Sequence, residues 1–294
     1  MSQRRLARTV TPAPPAPGFA GPGHLAVAVV SSDEFAANDP FIVLMDDRLE
    51  LRDGEPVGGP HPHAGFETVT FMLEGSIHDR DEGVLEAGDV QWMTAGRGII
   101  HGESATPRGK TRLLQLWLTL PKSQRGAAPG YRNLRRDSVP VRREPGVEVR
   151  LYSGSSGTHH APTRNFVPVT LADIRLEPGA TLDQDLPSSY NGFLYVLEGS
   201  VRVGENEAPL EMEQVGWLDR PKADGPSTLR ISAGARGARV VLYAGQPQND
   251  RIIVHGPFVG DSREDIVRLY QEYRDGSFAR MSDLTASSRA AITT

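Results

Sequence analysis

Four residues in two short segments have the types and spacing to hold a metal ion. Gly59-Pro60-His61-Pro62-His63 and Gly98-Ile99-Ile100-His101-Gly102-Glu103 each carry two donor side chains two residues apart. On an extended strand such residues project from one face, so His61 with His63, and His101 with Glu103, would each aim two donor atoms at one point. Two such strands make a four-ligand site. Three imidazoles and a carboxylate suit iron, manganese, nickel, copper or zinc, and chemistry stays available only if coordination positions remain open.

The elements that must position these residues are short strands separated by Gly, Pro and Asp turns. Phe41 to Met45, Glu67 to Leu73, Val90 to Thr94, Arg112 to Leu120, Val167 to Arg175, Gly192 to Leu197 and Arg239 to Ala244 read as strands. That punctuation predicts an all-β sandwich or barrel. One helix is expected late in the chain, where Ser262 to Asp265 resembles a capping box, Ile266, Val267, Leu269, Tyr270 and Tyr273 form an apolar stripe, and Gly276 marks the end. Residues 121 to 145 are rich in Arg, Gly and Pro and lack strand alternation, so a domain boundary is expected there, dividing the chain into 1–130 and 131–294.

An internal repeat supports two copies of one barrel. Leu73-Glu74-Gly75-Ser76 recurs as Leu197-Glu198-Gly199-Ser200, and Val90-Gln91-Trp92-Met93 is answered by Val215-Gly216-Trp217-Leu218. Carrying the ligand positions across puts Asp185 and Pro187 in place of His61 and His63, and Pro226 and Thr228 in place of His101 and Glu103. The second copy has lost its ligands, so chemistry is expected in the N-terminal half alone.

Composition bounds the function classes. The 294 residues suit two domains, and 38% hydrophobic content supports ordinary cores. A formal net charge of -5 with no dense Lys/Arg run argues against direct nucleic-acid binding. The basic start, Met1 to Arg8, runs into a Pro/Ala/Gly stretch without a signal-peptide core, and no apolar run is long enough to span a bilayer, so the cytoplasm is expected. There is no cysteine, which excludes disulfides and thiolate ligands; redox chemistry here would run through a metal.

The order strand, His-x-His, Glu, Gly, strand, Gly-Asp, His resembles the two motifs of the cupin superfamily. More specifically, His61 to Thr70, Gly88 to His101 and Gly256-Pro257-Phe258-Val259 resemble the pirin family. The resemblance implies two tandem cupin (double-stranded β-helix, or jelly-roll) barrels with a C-terminal helix, iron(II) held by His61, His63, His101 and Glu103, an empty C-terminal barrel, and a monomer. It further implies a dioxygenase similar to quercetin 2,3-dioxygenase, acting on a flavonol with O2 and with Glu103 or Glu67 as base. The other function described for pirins is an iron-binding redox sensor that binds a transcription factor or metabolic enzyme. In many cupins the Glu following His-x-His supplies the carboxylate ligand, so Glu67 competes with Glu103; Glu103 shares a face with His101 on an extended reading and fits the pirin pattern, which leaves Glu67 as a pocket or outer-shell carboxylate. Pirins usually have Arg and Ser where this chain has Ala64 and Gly102, so a cation at the barrel mouth is missing. His24, His78, His159, His160 and His255 are expected to be structural or solvated, and Trp92, Met93, Phe66 and Phe71 to fill core or line the pocket wall.

Overall fold

A computed structural model describes residues 2–51, 56–102, 105–221 and 225–284. The chain divides into two compact β units, and neither is a continuous stretch. One comprises Ala13–Arg136 together with the chain from Gln248 onward; the other comprises the segment through Pro12 and Asp137–Pro247. Among the described residues no helix is long and apolar enough to cross a membrane.

In the histidine-bearing unit an eight-stranded sheet runs in the order Gly130–Leu134, Val90–Thr94, Phe66–Asp79, Thr106–Thr119, Phe41–Leu49, His24–Val30, Ala16–Pro17, with Gly83–Glu86 added on Phe66–Asp79. A three-stranded sheet, Ala279–Arg280, Ile99–His101, His61–His63, completes the barrel. In the companion unit, Val141–Glu144, Val147–Ser153, Val169–Leu176, Pro226–Gly245, Asn191–Val203 and Val215–Leu218 form the main path, closed by Leu6–Val10. Its core is a continuous aliphatic cluster that includes Leu151, Ile174, Leu194, Leu229 and Leu242, all fully buried.

The sequence repeat has a structural cause. Gly75 and Gly199 both have φ +70, and a Cβ there would lie 2.5 Å from the Lys110 carbonyl oxygen and 2.0 Å from the Gly237 carbonyl oxygen. Strand register shifts at the same places, so each glycine marks a bulge. The strands therefore do not stop at Leu73 and Leu197 but continue to Asp79 and Val203.

The boundary expected after residue 130 is displaced. Gly130–Leu134 pairs with Val90–Thr94 and so completes the first barrel. The N-terminal arm, assigned to that barrel from the sequence, instead pairs Leu6–Val10 with Val215–Leu218 and Ser2–Gln3 with Ser227 and Thr228. The C-terminal helix Arg263–Arg274 belongs with the histidines, because Ile266 and Leu269 bury against Ala64, Phe258 and Phe278. Burying each of these two side chains contributes roughly 1.5–3 kcal/mol. The capping box forms as expected, with Ser262 Oγ accepting the Asp265 N–H and the Asp265 carboxylate accepting the Ser262 N–H. Ala64 is fully buried in this cluster, so position 64 underlies the helix and is not a place at the barrel mouth from which a cation could steer substrate.

Register also corrects the counterpart positions in the companion unit. His61 stands opposite His101, whereas Asp185 stands opposite Thr228, so Thr228 and not Pro226 answers His101. Arg4 packs beside these strands. Its guanidinium is fully buried and donates to the carbonyls of Pro187 (2.6 Å), Ser188 (3.3 Å), Tyr190 (3.0 Å) and Asp219, and to Ser227 Oγ (2.9 Å). Burial, partly offset by the charge of Asp219, lowers its pKa to about 10, which leaves it charged at neutral pH.

Candidate metal centre and its cavity

His61–His63 and Ile99–His101 pair antiparallel, with His61 opposite His101 and His63 opposite Ile99. Cross-strand partners share a face, so all three histidines project to one side. One ligand nitrogen from each lies within 4.8 Å of the others, a group that could hold a metal ion. Ring centres are 4.4 Å apart for His61 and His101, 4.9 Å for His61 and His63, and 5.2 Å for His63 and His101.

Each imidazole has one nitrogen engaged and the other spare. His61 Nδ1 lies 2.8 Å from the Gly59 carbonyl oxygen. His101 Nδ1 lies 3.1 Å from Glu82 Oε1, and its Nε2 is buried with no hydrogen-bond partner. The His63 ring bonds the Pro257 carbonyl, and its Nδ1 is likewise buried and unpartnered. Metal-binding histidines almost always donate their second nitrogen in this way, which fixes the tautomer and the ring plane. Two orphaned buried nitrogens converging on one point fit a metal ion. Burial, reinforced by the neighbouring imidazoles, lowers the pKa of His61 to about 4 and pushes His63 well below its ordinary value, so these rings are neutral ligands at neutral pH.

The geometry around Gly65 explains the approach of Pro257. Strand Phe258–Gly260 runs against the ligand segment: the Val259 N–H donates to the Ala64 carbonyl at 2.9 Å, and a Cβ on Gly65 would lie 1.9 Å from the Val259 carbonyl oxygen. With φ +88, position 65 requires glycine twice over. The segment Gly256 to Val259 carries part of the family resemblance, but its role beside His63 could not be read from spacing.

Glu82 is a functional residue that the sequence reading missed. It is buried, and its Oε1 accepts from both His101 and the Gly102 N–H, the latter at 3.0 Å. Burial alone would raise its pKa, but hydrogen bonds from His101, Gly102 and Gln91 outweigh that effect and hold it below the ordinary carboxylate value. Its only sequence signal is an acidic turn, Asp81-Glu82-Gly83, between two strands.

The two carboxylates expected at the site stand differently. Glu103 lies outside the described residues. The described strand carrying His101 ends at that residue, and Gly102 has φ +72. Glu67 is fully buried on the opposite face of its sheet from the cavity, a correction to its expected pocket role. Thr70 lines the cavity and pairs with Gln91, which does too; Glu67 pairs with Thr94 at opposite parity and receives the Thr94 hydroxyl at 2.7 Å. Burial raises the Glu67 pKa, opposed by the hydrogen bond from Thr94 and by the charge of Arg132. Trp92, Met93, Phe66 and Phe71 are core, and the tryptophan on the cavity wall is Trp117. His24, expected to be structural or solvated, is buried and lines the cavity beside Asp47.

The histidines open into a cavity of about 360 Å³, walled by Leu49, Val57, Ile77, Leu85, Leu113 and Trp117 among others. Cavities of roughly 300–1,000 Å³ with apolar walls and a few polar groups are the usual form of small-molecule sites. Among the described residues, no lysine or arginine lines it.

Comparison with known proteins places this chain in a family. Residues 27–118 match the Pirin family and residues 171–279 the Pirin C-terminal cupin domain. The chain is 38% identical over 275 residues to a Pseudomonas aeruginosa protein provisionally named quercetin 2,3-dioxygenase, covering 90% of this chain and 95% of that one. It is 36% identical over 265 residues to pirin-like protein 2 of Arabidopsis thaliana, covering 87% and 80%. The crystal structure of quercetin 2,3-dioxygenase from Acinetobacter baumannii superposes with a TM-score of 0.80 at 25% identity, covering 94% of this chain and 99% of that one. Matched in both halves and across most of its length, this two-barrel, all-β chain with a short C-terminal helix belongs to the pirin family of bicupins.

Proposed function

We propose that this protein is a metal-dependent dioxygenase that opens a flavonol such as quercetin with O2. The observation that carries the reading is the convergence of three imidazoles, each oriented through its second nitrogen, on a largely apolar cavity of small-molecule size. His61, His63 and His101 would hold iron(II), with Glu103 as the fourth ligand. A bound metal would supply Lewis-acid and redox chemistry for cleavage of the central flavonol ring with loss of carbon monoxide. The chain's own contribution is orientation and exclusion of water. Gly59, Pro257 and Glu82 fix the three rings, and the apolar wall shields the reacting ring from solvent. The proton of the flavonol 3-hydroxyl is assigned to Glu103, since Glu67 faces away from the cavity.

The names of the Pseudomonas and Acinetobacter relatives support this reading. A largely apolar cavity of this volume favours turnover of a small aromatic molecule over a redox sensor acting through a shallow charged surface on a transcription factor or metabolic enzyme. The test is iron-loaded protein with a flavonol panel under air, following loss of flavonol absorbance and O2 uptake. Turnover that His63→Ala abolishes supports the proposal; no O2-dependent loss with any flavonol, in protein shown by elemental analysis to carry iron, refutes it.

A further inference from the structure

The cavity has a second polar point apart from the three histidines. His24 and Asp47 both line it, at 2% and 6% exposure. They sit on paired strands, His24 opposite Leu49 and Ala26 opposite Asp47, and His24 Nε2 lies 2.8 Å from Asp47 Oδ1. The other ring nitrogen, Nδ1, accepts the Ala20 N–H at 3.1 Å. That bond puts the imidazole proton on Nε2, so His24 donates and Asp47 accepts. A second Asp47 oxygen is left to accept from the cavity.

The same histidine braces the turn at the cavity mouth. The Gly18 N–H donates to the His24 carbonyl at 2.9 Å and the His24 N–H to the Gly21 carbonyl at 3.1 Å. Phe19, carried on this turn, is 70% exposed, with its ring centre 5.4 Å from that of His24 and 6.0 Å from that of His61. A single phenyl ring thus contacts both polar points. The other described cavity carboxylates each hold more protein donors than Asp47 does: Asp79 Oδ1 accepts the N–H groups of Asp81 and Glu82, and Glu82 accepts from His101, Gly102 and Gln91.

We infer that Asp47, oriented by His24, accepts a hydrogen bond from a second hydroxyl of the substrate and so selects polyhydroxylated over singly hydroxylated planar aromatic molecules. The inference deepens the flavonol reading and rests on it. Asp47 is a specificity-determining residue here, and His24 its positioning partner. With no lysine or arginine among the described residues of the wall, the cavity suits neutral phenols better than carboxylates or phosphates.

The test is equilibrium binding to nickel-loaded protein under argon, comparing quercetin with 3-hydroxyflavone, which lacks every hydroxyl but the one at position 3. A hydrogen bond to a carboxylate predicts a preference for quercetin of about 10- to 100-fold in the unmutated protein. In Asp47→Asn the amide oxygen still accepts from His24, so the turn keeps its brace while the acceptor facing the cavity becomes a donor. The preference should collapse to within about threefold, through quercetin alone, with 3-hydroxyflavone and nickel affinities unchanged. Retained preference, or equal weakening of both ligands, overturns the inference; the second result would mark the pair as a brace only. If neither flavonol binds the unmutated protein, the flavonol reading fails, and Asp47 is judged by 2-naphthol against naphthalene. A preference for 2-naphthol that Asp47→Asn abolishes sustains the assignment, and no such preference overturns it.

Discussion

Glu82 offers the sharpest test of how the site is held. Its Oε1 receives two donors, His101 at 3.1 Å and the Gly102 N–H at 3.0 Å, in a buried setting. Glu82→Ala leaves both donors without their carboxylate and frees the His101 ring to rotate. Loss of such an outer partner typically weakens metal affinity by about 10- to 100-fold, or roughly 1.4–2.7 kcal/mol. Glu82→Gln keeps one acceptor oxygen but removes the charge, so its loss should fall near the lower end. The assay is competition for nickel(II) or iron(II) against a chromophoric chelator at pH 7.5, alongside thermal melting of the metal-free proteins. His101→Ala serves as the reference for losing a ligand outright. If Glu82→Ala binds metal within about twofold of the unmutated protein while His101→Ala does not bind, the carboxylate does not orient the ring, and the account of the outer shell is wrong.

Three further outcomes follow from the packing. The metal-free protein should lose stability as pH falls from 6.5 to about 4, because His61 takes up a proton in the unfolded chain across that window but not when folded; stability therefore rises with pH there, by about 3 kcal/mol from His61 alone and further from His63. Urea unfolding at stepped pH should show this slope, and His61→Gln should flatten it; identical slopes would refute the burial argument. Gly65→Ala should destabilise by on the order of 3 kcal/mol, through its positive φ and the clash with the Val259 carbonyl, and should weaken metal binding through Pro257; unchanged urea midpoints would contradict the predicted close approach. Arg4→Met should destabilise by about 3 kcal/mol by stripping several buried carbonyls of their donor, while nickel affinity stays constant; a loss of nickel affinity instead would contradict the separation of the two roles.

The chemistry of this fold was more legible than its connectivity. His61 and His63 declare themselves because a strand of period two forces both to one face, and the repeat of Leu-Glu-Gly-Ser is visible because only glycine fits the bulge that each barrel needs. The helix was equally plain, since its cap and apolar stripe are local signals. Its docking site was not, because Ile266 and Leu269 specify an apolar partner without saying which. Glu67 misled for a similar reason: being four residues from His63 suggests proximity, but strand parity carries it to the far face, and parity relative to the cavity depends on where the chain turns at Gly65. Glu82, Pro257 and Asp47 were hidden because each acts through a partner distant in sequence, and a backbone carbonyl leaves no residue-type signature at all.

The interleaving of the two units has a consequence for the order of events in synthesis. Every described cavity ligand in the first half of the chain emerges from the ribosome long before Pro257, whose carbonyl orients His63, and before Phe258, Ile266 and Leu269, which pack on Ala64. Residues 137–247, which make up most of the companion barrel, are translated in between, and that barrel uses an arm made at the very start. The companion barrel can therefore close around Arg4 first, while His61, His63 and His101 wait in an unfinished partner. A nascent chain that has all three histidines still lacks the means to hold one of them in place, so the centre described here is completed late, when its template strand at 258–260 arrives.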